Sequence, residues 1–191
     1  LRGRRAHPVS LAASGLASTV ETSRPTRAEG SDCANAVLGA ADAIMLAGET
    51  SVGKWPIEAV TAMARIIEST EDHGLERVPA LGTRPHTVGG AVTAAAAEIG
   101  ELLGARYLVT FTHSGDSAKR LSRIRSKLPM LAFTPMQATR SQLTLTWGME
   151  TYLVPMVRHT DEMARQVDES LLESGRCAAG DKVVIVAGSP P

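Results

Sequence analysis

Beyond residue 90 the apolar positions alternate between two rhythms. Helical spacing marks residues 91–104, 114–126, the start of 138–148, and 160–175, where the stripe runs i, i+3, i+4 from a Thr160/Asp161 start. Between them lie short apolar runs: ARYLVTF at 105–111, PMLAFT at 129–134, METYLVP at 149–155 and GDKVVIVAG at 180–188. Strands alternating with helices predict a parallel sheet covered on both faces, a three-layer αβα arrangement. Earlier in the chain, Ser31 and Asp32 are read as the cap of a helix ending near Gly39. Residues 43–47 are read as a buried strand. Pro56 opens a helix whose apolar positions Ile57, Val60, Met63, Ala64 and Ile67 carry it to about Asp72. Residues 73–90, rich in glycine with two prolines, read as a linker.

Composition narrows the function classes. The 191 residues are 43% hydrophobic, enough for one large domain or two small ones. A net charge of zero and only 3% aromatic residues give no basis for a nucleic-acid partner. No apolar run reaches the length of a membrane span. The N-terminal LRGRRAHPVSLAASGLA has the charge of a signal peptide, but Ser10 and Ser14 break its short apolar core. Cys33 and Cys177 form no metal-ligand spacing and no disulfide framework, so a reducing, cytoplasmic setting is expected, with Cys33 a small core residue. The chain opens on Leu1 rather than Met and reads as a piece of something longer.

Residues 43–60, AIMLAGETSVGKWPIEAV, almost spell the nucleotide-binding GxxxxGK[ST] loop. The position after Lys54 must ligate Mg²⁺, and it holds Trp55. Pro56 removes a backbone donor at the helix start, and Glu49 places negative charge inside the loop. The expected reading is an ordinary βα loop containing two glycines.

The flanks of that loop resemble pyruvate kinase. Residues 24–60, RPTRAEGSDCANAVLGAADAIMLAGETSVGKWPIEAV, are similar to that family's PTRAE and IML-[SA]-GET motifs. Residues 110–155 carry its T-x-SG-x-[ST]-A, SR-x-R and R-x-L-x-L-x-WG motifs, and GDKVVIVAGSPP its closing strand. The resemblance implies the last portion of a (β/α)₈ (TIM) barrel over residues 1–72, the linker, and a truncated C-terminal α/β domain over 91–191. It places GETSVGK after the eighth barrel strand, on the catalytic face.

The implied reaction is phosphoryl transfer from phosphoenolpyruvate to ADP, the last step of glycolysis, with Mg²⁺ and K⁺ as cofactors. The family's metal carboxylates, phosphate-binding arginine and asparagine, and transfer lysine fall outside this sequence. No catalytic residue is expected here and no metal ligand. A gapless count from Pro25 and Thr26 puts Ala13 at the family's substrate-side threonine and Ser14 at its glutamine. The first 23 residues are diverged, replaced or mistranslated.

The resemblance also assigns an allosteric phosphate loop to Thr112, Ser114, Gly115 and Ser117, where hydroxyls and a glycine open a helix. A sugar phosphate or nucleotide is the implied effector. Asp116 sits inside the loop against phosphate, while Lys119, Arg120, Arg123, Arg125 and Lys127 follow it as either a binding face or a solvated one. His113, beside Ser114 and Asp116, is not read as a triad member. His159 is read as a surface residue at a helix start, and Met130, Met136, Met149 and Met156 as core filling. Three readings remain: a catalytically incomplete piece of a homo-oligomeric enzyme, a stand-alone phosphate-effector-binding module, or a decayed product with no stable fold. An isolated barrel end exposes the strand at 43–47 and the helix at 57–67, which predicts aggregation or association.

Overall fold

The computed structural model describes residues 8–12, 15–74 and 85–188. The chain divides into two compact units, within residues 8–80 and 81–191.

In the first unit, β1 (Ser10–Ala12) and β2 (Ala43–Met45) pair in parallel, Ser10 beside Ala43 and Ala12 beside Met45. A 3₁₀ turn (Ala17–Val20) and α1 (Arg27–Leu38) connect them; α2 (Gly48–Ser51) and α3 (Pro56–Gly74) follow. Helix α1 starts four residues before Ser31, which corrects the expected cap. The Thr26 hydroxyl accepts the Glu29 N–H at 3.3 Å, and the Glu29 carboxylate accepts the Thr26 N–H at 2.7 Å. This reciprocal capping box satisfies two free donors at once, so it outcompetes a Ser or Asp further along.

Helix α3 buries Ala59 and Met63, with Ala62, Ile66 and Ile67 partly covered, against Leu16, Cys33 and Ile44. Ile57 and Val60 are 74% and 53% exposed, in line with the exposure expected of the helix at 57–67 in an isolated barrel end. Apolar residues at helical spacing occur on two sides of α3, and only contact with α1 and β2 selects one. Strand β2 is shorter than residues 43–47 and is not buried, with Met45 47% exposed.

In the second unit, α4 (Val88–Leu103) precedes β3 (Tyr107–Phe111), α5 (Asp116–Ser122), β4 (Met130–Thr134), α6 (Gln137–Leu143), β5 (Met149–Leu153), α7 (Thr160–Glu173) and β6 (Val183–Ala187). The strands form one parallel sheet in the order β5-β4-β3-β6. Helix α4 begins at Val88, ahead of the expected Ala91, because the Thr87 hydroxyl accepts the Gly90 N–H. That cap keeps Gly89 and Gly90 helical despite their low propensity.

The period-two alternation of strands sorts the core into two layers. Val184, Leu108, Met130 and Met149 lie in one register row and pack with Ala97, Ala118, Leu121 and Leu143 of α4, α5 and α6. The next row turns Val109 and Leu131 to the other face, against Val167 and Leu171 of α7. Met130 and Met149 fill the core as expected. Met136 and Met156, 38% and 62% exposed, lie in connections past strand ends and do not.

From β3 to β5 the chain steps one way with α5 and α6 on one face. It then recrosses through α7 on the other face to place β6 beside β3, as right-handed crossovers require. Strand order thus reverses between β3 and β6, the position where open α/β sheets form a crevice at their carboxyl ends. Helix α4 approaches the sheet at Gly100, where a Cβ would stand 2.6 Å from Leu108 Cδ2 and 2.9 Å from Leu128 Cδ1. Gly100→Val is expected to destabilise this unit by about 1–3 kcal/mol through overpacking. A lower unfolding midpoint in denaturant checks it, and an unchanged midpoint contradicts it.

Candidate functional site

The loop after β3 leaves the sheet at the order reversal. Its first residue, Thr112, is buried; its N–H donates to the Phe133 carbonyl at 3.0 Å. Its hydroxyl accepts the Gly115 N–H at 2.9 Å. Gly115 has φ +87°, left-handed backbone that a side chain would strain. Ser114 is exposed, and its hydroxyl oxygen lies 3.4 Å from the Asp116 N–H. Ser117, half-buried, falls in the first turn of α5. The structure thus gathers Thr112, Ser114, Gly115 and Ser117 in one tight turn, with two hydroxyls already engaged by the turn's own N–H groups.

Sequence reasoning missed the residue that braces this turn. Thr139 of α6 donates its hydroxyl to the His113 carbonyl at 2.8 Å, and its methyl lies 3.4 Å from where a Gly115 Cβ would stand. No local pattern marks Thr139, because the contact joins residues 26 apart. Among the described residues no hydrogen bond links the His113 ring to Ser114 or Asp116. His159 is exposed at the start of α7, where the sequence places it.

The basic run after the loop is largely committed elsewhere. Arg120 donates to the Thr87 hydroxyl at 2.7 Å, and the Arg125 guanidinium lies 4.4 Å over the Trp147 ring. Arg123 and Lys127 also have partners. The Lys119 side chain folds back over the turn, its Cε 3.6 Å from the Gly115 Cβ position.

The second place of interest is the near-P-loop. Here the anion is internal. Glu49 is 1% exposed, and its carboxylate accepts N–H groups from Ala47 at 2.9 Å and Leu16 at 3.2 Å. Burial works to raise its pKa, but these N–H bonds prevail and hold it below the usual carboxylate range, against the nearby Glu29 charge. Gly53 is required by the same turn: a Cβ there would lie 2.4 Å from the Glu49 carbonyl oxygen. Lys54 pairs with Glu21 at the surface, and Trp55 is 39% exposed. The loop's N–H groups are thus turned onto its own glutamate.

Glu29 does the same one layer away. Besides the Thr26 N–H and hydroxyl, its carboxylate accepts the Ser18 N–H at 2.7 Å and the Ser18 hydroxyl. Together Glu29 and Glu49 hold both ends of the segment Leu16–Ser18 that follows β1. The T-x-x-E spelling at 26–29 could have revealed the cap, but not the reach to Ser18. Ala13 and Ser14, counted onto the family's threonine and glutamine, lie outside the described residues. Among the described residues no group of three His, Cys, Asp or Glu side chains is placed to hold a metal ion, and no helix is long and apolar enough to cross a membrane.

This geometry defines a class: a doubly wound α/β domain joined to two parallel βα units of the kind that build closed barrels. Comparison with known proteins gives the family. The family model described as "Pyruvate kinase, alpha/beta domain" matches residues 90–191, and "Pyruvate kinase, barrel domain" matches residues 3–60. A pyruvate kinase of Mycobacterium intracellulare is 56% identical over 186 residues, covering 97% of this chain and 39% of that protein. One from Corynebacterium glutamicum is 54% identical with the same coverage. A crystal structure of a Cryptosporidium parvum pyruvate kinase superposes with a TM-score of 0.88 at 29% identity, over 96% of this chain and 38% of that one. The chain belongs to the pyruvate kinase family, and it spans about two fifths of the length of the curated relatives it matches. The barrel match starts at residue 3, so the altered N-terminal stretch is a diverged family sequence rather than an unrelated one.

The Glu29 cluster sets an acid limit. Burial raises its pKa, but the Ser18 and Thr26 bonds outweigh it and lower the value to about 2, from 4.5. A lowered folded-state pKa means the stabilisation is complete above about pH 4.5 and is lost as pH falls toward 2. Melting of the wild type is expected to drop across that window, and Glu29→Gln to flatten the drop while lowering stability at pH 7. Equal acid slopes in the two proteins would contradict the assignment.

Proposed function

We propose that this chain supplies the C-terminal portion of an enzyme that transfers the phosphoryl group of phosphoenolpyruvate to ADP in the cytoplasm, giving pyruvate and ATP. The observation that carries the reading is the match of both family domains in their expected order, residues 3–60 and then 90–191. Residues 1–72 are the barrel end, 73–90 the linker and 91–191 the α/β domain. One similar solved structure is described as Cryptosporidium parvum pyruvate kinase in complex with ADP, consistent with the substrate class.

On this reading the chain is catalytically incomplete by itself. Phosphoryl transfer relies on fixed charges around the migrating group. The described residues offer no set of ligands for the family's Mg²⁺, and no step is assigned to a metal here. Among the described residues of the first unit, two parallel strands also fall short of the eight that close a barrel. A coupled assay of the purified 191-residue chain with phosphoenolpyruvate, ADP, Mg²⁺ and K⁺ is expected to release no pyruvate above blank. Clear turnover overturns this reading.

The α/β domain is the part that retains a binding role. Its loop at residues 112–117 lies at the strand-order reversal, and Thr112, Ser114, Gly115 and Ser117 carry the family's allosteric motif. A phosphorylated effector, a sugar phosphate or nucleotide, is the ligand this supports. Asp116, exposed at the start of α5, opposes an anion, so binding is expected to be weak. The apolar clusters packed on both sheet faces favour a second reading, in which the domain binds such a ligand without chemistry. Calorimetric titration with sugar phosphates should give millimolar-range heats that Gly115→Val abolishes; a flat wild-type titration removes the site. The assembled enzyme is taken to be a homo-oligomer.

A further inference from the structure

The turn at residues 112–115 stands on helix α6. Thr139, 8% exposed, donates its hydroxyl to the His113 carbonyl at 2.8 Å. Its methyl and the Leu143 Cδ2 each lie 3.4 Å from the Gly115 Cβ position. One side chain thus makes a hydrogen bond and a packing contact to the same turn. The hydrogen bond also sets a direction. A trans peptide is planar, with its C=O and N–H on opposite edges. A His113 carbonyl drawn onto α6 therefore turns the Ser114 N–H away from α6, to the side where His113 and Ser114 are exposed. Among the described residues no hydrogen bond takes up that N–H. The next one along, the Gly115 N–H, is already bound to the Thr112 hydroxyl. Turned over, the His113–Ser114 peptide would present a carbonyl oxygen on the open side and repel an anion there.

We propose that Thr139 is a positioning residue for the effector loop: its hydroxyl, by holding the His113 carbonyl inward, keeps the Ser114 N–H aimed at a bound phosphate. This rests on the reading of residues 112–117 as a phosphate loop. Thr139 touches no ligand itself and acts through one peptide unit. Stability alone does not call for its hydroxyl. His113 is exposed, so water can supply the same bond to its carbonyl. Burying a hydroxyl costs free energy that one hydrogen bond roughly offsets. The hydroxyl is therefore close to neutral for folding, and its effect falls on the loop. Asp116, exposed in the same loop, works against an anion and makes each aimed N–H count for more.

The two contacts separate by substitution. Thr139→Val keeps the methyl and loses the donor, while Thr139→Ser keeps the donor and loses the methyl. Ribose 5-phosphate carries the group common to sugar phosphates and nucleotides. It is titrated into the full chain and followed by the amide resonances of residues 113–117, and the unfolding midpoint in denaturant is read for each variant. In the wild type the Ser114 amide should shift with the added ligand. Thr139→Val should weaken binding about fivefold or more with a midpoint near that of the wild type. Thr139→Ser should bind within about twofold of the wild type with a lowered midpoint, because loss of a buried methyl leaves a cavity. Wild-type binding that Thr139→Val leaves unchanged overturns the proposal and leaves the phosphate-loop reading standing. So does a loss of binding that follows the midpoint in both variants, the mark of packing alone. A wild-type titration that moves no resonance removes the phosphate-loop reading, and the proposal falls with it.

Discussion

The second unit depends on strand register. In a parallel sheet every directly paired residue points to the same face, so one row of contacts fixes all the others. The row that does most here is aromatic: Phe111, Phe133 and Tyr152 stand side by side across β3, β4 and β5. Their ring centroids are 5.4 Å and 4.8 Å apart, the second pair stacked nearly parallel. In a chain with so few aromatic residues, both phenylalanines sit in this ladder. A slip of one residue would carry the ladder to the α5 and α6 face and turn the row of Leu108, Met130 and Met149 toward α7. Because Phe111 is the last residue of β3, the ladder also fixes where Thr112 departs. The bidentate pair of Arg176 with Glu150, both contacts 2.7 Å, ties the segment after α7 to edge strand β5.

The first unit is organised by two carboxylates rather than by a ladder. Short strands leave many backbone N–H groups without sheet partners, and a buried N–H must find an acceptor. Glu49 and Glu29 supply acceptors to Leu16, Ala47, Ser18 and Thr26. This explains the false nucleotide-loop spelling in residues 48–54. Glycines and a following helix are what any tight anion-holding turn needs, whether the anion is a phosphate or the turn's own side chain.

The alternation of strands and helices after residue 90 was readable because each element carries its own period, and every expected strand there forms. The family motifs located the loop at residues 112–117, and the structure sets it at the order reversal. What stayed hidden depends on contacts distant in sequence. Thr139 braces the turn at residues 112–115 from another helix. Ile57 and Val60 have the same spacing as the residues that α3 buries, so periodicity alone could not choose between its sides. Met136 and Met156 look like core residues by type, yet lie past strand ends. The start of α1 was a local error, since the Thr26–Glu29 box was present in the sequence and outweighs the Ser31–Asp32 pair.

The two tryptophans fall one to each unit. Trp55 stands 39% exposed ahead of α3, while Trp147 is half-buried beneath the Arg125 guanidinium, its carbonyl accepting the Ser122 hydroxyl at 2.6 Å. Their emission is therefore separable by environment, red-shifted for the wetter indole and blue-shifted for the stacked one. The protein carries a native optical reporter for each half, so loss of the barrel end and loss of the α/β domain can be followed as two signals from one unlabelled sample.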